Sequence, residues 1–230
     1  MKRLLTTLGW DFLMFARYQI VTVVLVISAI YILILRIIPV PDMVVQCMIF
    51  SDPVMLGFIF TGAIVLFEKG ANTLEALVVT PIKIWEYLWS KAIALTLLAL
   101  PCTLTMAIAG HGWDVHYLWL ILGLFLSSIL FVFVGFIGVS RVKNFNQYIV
   151  VIPLFLVPFS LPLLNFLGLM DCYAFYIIPT QASLILFEAT FKEVEVWKLI
   201  YSIGYLLISM LFAYKLARKA FINYIIGDKS

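Results

Sequence analysis

The sequence predicts an all-α polytopic membrane protein. The expected plan is six transmembrane helices, an amphipathic N-terminal interfacial helix and a re-entrant outer segment before the last helix. Composition is the first observation. The chain is 65% hydrophobic and 12% charged, where a soluble domain carries roughly a quarter charged residues. The second is run length: several apolar stretches approach or exceed the roughly 20 residues that cross a bilayer as a helix. The third is the placement of cations. With both termini in the cytoplasm, the inner segments hold twelve of the fifteen Lys and Arg residues, and only Arg36, Lys192 and Lys198 fall outside. That split obeys the positive-inside rule.

The 230 residues read as one transmembrane domain, with spans at about 18–38, 46–66, 90–110, 118–140, 147–167 and 195–215. Before the first span, Leu4, Leu5, Leu8, Phe12 and Phe15 line one helical face, while Lys2, Arg3, Thr6, Thr7 and Arg17 occupy the rest. Such a helix suits the inner membrane surface; a plain extension of the first span is the competing reading. The opening MKRLL imitates a signal peptide, but Asp11 and Arg17 interrupt it and no small-residue cleavage site follows, so it is expected to be retained. The fifth span contains Pro153, Pro158 and Pro162 and should be kinked or broken. Residues 168–194 are apolar, interrupted at Pro179 and too short for two more crossings. They read as a helical hairpin dipping into the outer leaflet, which requires shielding by protein or a watery cavity. No internal repeat is evident.

Against this apolar background, six charged residues gather in FEKGANTLEALVVTPIKIWEYLWSK, the segment 67–91 between the second and third spans. Asn72-Thr73-Leu74-Glu75 has the form of a capping box at a helix start. Leu74, Leu77 and Val78 make one apolar face of a short helix. Thr80-Pro81 stops it and can restart another with Thr80 as cap and Pro81 at the first helical position. Trp85, Tyr87 and Trp89 then fall at the expected interface, with Lys91 as an anchor. The segment should be short, rigid and able to transmit a push.

These residues resemble the cytoplasmic segment of ABC-2 type ABC transporter permeases. Glu68, Thr73, Leu74, Glu75, Leu77, Thr80 and Pro81 match its pattern, and Glu86, Tyr87 and Lys91 follow at the expected positions. Lys69 replaces an Arg, Gly70 stands for a usual Glu, and Asn72 stands for a usual Gly. The small size and SDPVMLG before LFEKG look most like the short permeases called fluoroquinolone exporters. The resemblance implies a homodimer or heterodimer of permease subunits in the plasma membrane, driven by separate ATP-binding subunits. It implies further that Glu68 to Pro81 dock on the ATPase as a coupling helix, with Glu86 and Lys91 supporting it. ATP and Mg would reside on that partner; no cofactor and no nucleic acid is expected on this chain. Independently, the sequence holds no G-x-x-x-x-G-K-[ST] motif, so no phosphate-cradling loop of its own.

Other residues carry paired readings. Ser51-Asp52-Pro53 reads foremost as a helix cap, with a proton or cation site as the rival. His111, His116 and Asp114 read as loop residues, and Cys47, Cys102 and Cys172 have no metal-ligand spacing, so no metal site is expected. Arg141 and Lys143 form either a second ATPase contact or a topology anchor. Gly57/Thr61 and Gly123/Ser127 permit close helix approach, within the bundle or across a dimer. The function expected is export of apolar or amphiphilic small molecules, because few charges are available to line a pathway for polar solutes. A proton-coupled secondary transporter is the alternative, and a membrane-embedded enzyme lacks any catalytic constellation in the spans.

Overall fold

The computed structural model describes residues 2–38, 40–71, 73–74, 82–170 and 172–226. Among them the chain is helical, with no strand. An amphipathic helix, α1 (Lys2–Arg17), turns at Gln19 into α2 (Ile20–Ile37). The next rod is unbroken from Asp42 to Gly70 and comprises α3 (Asp42–Val54), a π-helical stretch (Met55–Phe60) and α4 (Thr61–Gly70). Beyond the segment 71–83 come α5 (Ile84–His111), α6 (Tyr117–Val139), α7 (Phe145–Ser160) and α8 (Pro162–Phe166). A 3-10 turn (Tyr173–Ile177), α9 (Pro179–Glu188) and α10 (Val196–Ala220), which ends in a π-helical stretch (Phe221–Ile226), complete the chain.

Five of these rods are long and apolar enough to cross a membrane: α2, Asp42–Gly70, α5, α6 and Val196–Asn223. The protein is therefore an all-helical membrane protein. The stretch expected as a span at 147–167 is instead two helices, and α7 has 16 residues, short of the roughly 20 a crossing takes. The break at Leu161 has a simple cause. Pro162 has no N–H to continue the ladder, and α8 restarts with it at the first position.

The helix α6 is the axis of the bundle. Of its most apolar window 72% is buried, against 22% for α2 and for Val196–Asn223, which leaves those two on the rim. Around α6 pack α10, α5, the π stretch, α9, α4 and α3. Small residues make this possible. A Cβ on Gly57 would stand 2.6 Å from the Phe131 Cβ, and one on Gly123 would stand 3.3 Å from the Leu186 Cβ. Both glycines therefore serve packing inside the bundle, which decides the question left open by their spacing.

Pro53 sits inside the second rod, and the wide π turn follows two residues later. A proline removes one amide donor and crowds the carbonyl one turn back, and a π turn is one way to absorb the misfit. Tyr148 exploits the loosened ladder: its hydroxyl donates to the Phe58 carbonyl at 2.7 Å. Its ring lies where a Gly62 side chain would be, since a Cβ there would stand 1.9 Å from Cζ of Tyr148.

The ends of the bundle sort cleanly. Tyr18 stacks on Phe67 at 5.1 Å, and Tyr87 meets Phe136 at 5.9 Å and Phe221 at 5.1 Å. One end therefore gathers the α1–α2 corner, the described ends of the 67–91 segment, the α6–α7 link and the close of α10. At the other end His111 Nδ1 lies 3.2 Å from Asp42 Oδ1. There, too, the segment after α8 is held inside the bundle. Thr180 to Phe187 are all buried, the hydroxyls of Tyr201 and Tyr205 donate to the carbonyls of Tyr176 and Ile177, and His116 N donates to Thr190 O at 3.0 Å.

The Gly62–Tyr148 fit yields a stability prediction. Gly62→Ala should cost about 1–3 kcal/mol, the usual scale of overpacking. Gly70→Ala, with nothing within 4 Å of its Cβ, should be close to neutral. Thermal unfolding of the purified variants in detergent checks the difference.

Candidate functional site

The site is built where the 67–91 segment leaves and re-enters the bundle. Glu68, in the last turn of α4, is 3% exposed. Lys91, two turns into α5, is 2% exposed. Its ammonium donates to Glu68 Oε1 and to Asp11 Oδ1, both at 2.5 Å. The Tyr87 hydroxyl donates to the second Glu68 oxygen, and the Ser90 hydroxyl donates to the second Asp11 oxygen. The ammonium also lies 5.4 Å from the Tyr87 ring centroid and 5.9 Å from that of Phe15, within cation–π range. Three helices thus meet on one cation: α1 through Asp11, α4 through Glu68 and α5 through Lys91.

Asp11 is the participant the sequence reading missed. The signal was present, because Asp11 shares one helical stripe with Leu4, Leu8 and Phe15, at spacings of three and four. An acid on the apolar stripe of an amphipathic helix needs a partner, and Lys91 supplies it. Leu5, expected on the apolar face with Leu4 and Leu8, is exposed instead, as are Trp10 and Leu13 away from the stripe.

The sequence profile of the Fluoroquinolones export permease protein family matches residues 2–229. The chain belongs to that family. Two relatives named fluoroquinolones export permease proteins, from the CDC 1551 and H37Rv strains of Mycobacterium tuberculosis, are each 31% identical over 180 residues, covering 76% of this chain and 76% of theirs. No solved structure gives a significant match. The family agrees with the resemblance drawn from residues 67–91 and makes the chain an export permease.

Within this permease the expected coupling residues divide. Glu75, Leu77, Thr80 and Pro81 lie outside the described residues, as do Asn72 and Val78. Thr73 is helical and exposed, Leu74 is helical and buried, and Lys69 is half-buried. Glu68 and Lys91 are sealed in the ion cluster, so their carboxylate and ammonium hold the segment from behind and offer no face to a partner. Lys91 is accordingly no interfacial anchor. Nor do the aromatics form a belt: Trp85 is exposed, Tyr87 is buried, and Trp89 packs on Phe133 at 5.3 Å. The helix after Pro81 begins at Ile84, because Ile82 and Lys83 are non-helical. Its start is closed by Glu86, whose Oε2 accepts from Lys83 N at 2.8 Å, so Glu86 is a cap.

Arg141 and Lys143 are exposed in the link between α6 and α7. Asn144 caps α7 by accepting from Gln147 N at 3.0 Å. Arg141 lines a cavity of about 660 Å³ together with Gln147, Phe155, Leu216 and Lys219. It opens at the same end of the bundle as the 67–91 segment.

Asp52 is not a helix cap. It sits ten residues into the second rod, which starts at Asp42, and is 7% exposed. His111 is drawn out of the loop reading: it ends α5, meets Asp42 and packs edge-on against Phe191 with centroids 5.1 Å apart.

The ion cluster holds two carboxylates for one ammonium, which sets an order of losses. Lys91→Met strands both acids in the interior and should cost about 3–5 kcal/mol. Asp11→Asn leaves the Glu68–Lys91 pair intact and neutral, and should cost about 1–3 kcal/mol. Thermal denaturation of the purified permease ranks them, and equal losses would contradict the arrangement.

Proposed function

We propose that this chain is the transmembrane permease subunit of an ATP-driven ABC exporter that moves apolar or amphiphilic small molecules out of the cell. One observation carries the reading. The segment that matches the ABC-2 type coupling pattern is the one whose two ends are tied, through Glu68 and Lys91, to a third helix by a buried ion cluster. Family membership and the relatives' names, which specify fluoroquinolones, support export of such molecules. The substrate class proposed is therefore aromatic amphiphiles.

In this reading the 67–91 end faces the cytoplasm, both termini lie there, and the membrane is the plasma membrane. A separate ATP-binding subunit docks on residues 69–81, with Arg141 and Lys143 as a second contact, and carries ATP and Mg. Two permease subunits, identical or not, pair in the membrane. The sixth crossing is completed by α7 and α8 together, whose 22 residues from Phe145 to Phe166 span roughly 33 Å at 1.5 Å per residue. The 3-10 turn and α9 form the re-entrant element of the outer leaflet. A push on the coupling segment reaches α1, α4 and α5 at once, because the Lys91 cluster makes them one body at that end.

The test uses Glu75. The permease is co-expressed with an ATP-binding subunit, and association and export of a fluoroquinolone are measured for Glu75→Ala and Glu75→Gln. Loss in both variants, with membrane insertion intact, assigns charge pairing; loss in Ala alone assigns helix capping, worth about 0.5–2 kcal/mol. Normal association and export in both would overturn the coupling role. A single cysteine at position 75 should be labelled only after permeabilisation of the cells, and labelling from outside would reverse the orientation.

A further inference from the structure

The buried acid that the coupling cluster does not use is Asp52. It lies ten residues from the start of the second rod and 18 from its end. At 1.5 Å per residue it is roughly 15 Å from the nearer end of a rod roughly 42 Å long, which keeps it inside a hydrocarbon core about 30 Å thick. Its carboxylate accepts one long hydrogen bond, from Thr103 Oγ1 of α5 at 3.3 Å. Beside it, Val24, Ile27, Ser28, Met55, Leu56 and Phe60 line a partly open cavity of about 20 Å³ between α2 and the second rod, room for one water. Ser28 Oγ donates to the Val24 carbonyl at 2.8 Å, so its oxygen can only accept from a further neighbour.

The charged and titratable neighbours can be named helix by helix. On α5 the Cys102 thiol lies against Ser28 and within electrostatic reach of Asp52; Lys91 and His111 are twelve and eight residues from Thr103, roughly 18 and 12 Å along the helix. On α2, Tyr31 is one turn beyond Ser28, and Arg36 is eight residues away. On its own rod the nearest ionisable groups are Cys47, Asp42 and Glu68. The bundle axis α6 carries only Tyr117, at its far end, and α9, which packs on α3, carries only Glu188, its last residue. Among the described residues no cation pairs with Asp52.

A carboxylate at this depth, with one weak donor and no counter-ion, is far costlier than the neutral acid. We propose that Asp52 is a proton-binding site of the permease, loaded while α2 is packed on the second rod. The neutral acid supplies an O–H donor that a water in the cavity beside Ser28 can accept. When the seam between α2 and the second rod opens, water enters, the O–H bond breaks, the proton passes to water and the carboxylate stays behind, hydrated. The proline and π turn directly after Asp52 put the most deformable part of the rod at this seam. The inference needs the membrane reading of the chain and no ATP-binding partner, so it survives or fails independently of the coupling proposal.

The experiment is infrared difference spectroscopy on the full chain in lipid nanodiscs, wild type against Asp52→Asn and Asp52→Glu. Wild type should show a protonated-carboxyl stretch at neutral pH that shifts in deuterated water. The band should be missing in Asp52→Asn and present, displaced, in Asp52→Glu. The folded chain then holds a proton that the unfolded chain has released at neutral pH, so stability should fall as pH rises. That slope in melting temperature should disappear in Asp52→Asn. If Asp52→Asn does not fold, the wild-type and Asp52→Glu spectra still decide the matter. A wild-type spectrum with no protonated-carboxyl band at neutral pH, or a melting slope unchanged in a folded Asp52→Asn, overturns the proposal.

Discussion

One ammonium organises one end of this permease. Lys91 is buried between Asp11 and Glu68, and each comes from a different helix. Placing three charges out of water is costly, and only close geometry and additional donors offset the penalty. Tyr87 and Ser90 supply those donors. The cluster is therefore specific in a way a hydrophobic contact is not. It fixes which turn of α1 faces which turn of α5, and it closes the loop that begins after α4. An apolar replacement of the three charges could pack as well, yet it would permit sliding along the helices.

The same cluster explains why the amphipathic helix is not simply floating on lipid. Its inward stripe is Leu8, Phe15 and the Asp11 carboxylate, and its remaining surface shows Leu5, Trp10 and Leu13. Both carry apolar side chains for different reasons, one for the bundle and one for the bilayer. The turn after it passes through Gln19 in the left-handed region, with φ 61°. That conformation costs a non-glycine residue roughly 1–2 kcal/mol, and it is held because α1 and α2 are each docked on α5.

Much of this was legible in the residues. The five long apolar helices followed from run length, because lipid leaves a helix no alternative way to satisfy its backbone. The broken fifth span followed from its prolines. Other features were not legible, for identifiable reasons. The aromatics at 85, 87 and 89 look alike in sequence, yet alternate between exposed Trp85 and buried Tyr87 because Glu68 recruits the tyrosine hydroxyl. Lys91 reads as a membrane anchor until its two acids are known, and one of them lies 80 residues away. Asp52 followed by proline imitates a helix start, but the rod had already begun at Asp42. Long-range partners and the true start of a helix are properties of the packed bundle, and no local pattern encodes them.

The separation between Asp11 and Lys91 bears on how the molecule is made. The acid leaves the ribosome 80 residues ahead of the lysine that neutralises it, and two apolar rods are synthesised between them. Until α5 is delivered, α1 carries an unmatched carboxylate on the stripe that will face the bundle, and Glu68 waits on the same cation. The first helix therefore cannot take its seat in the order of its synthesis. Its final seat depends on a residue made 80 positions later. Biogenesis at this end is a closing step, with Lys91 as the latch.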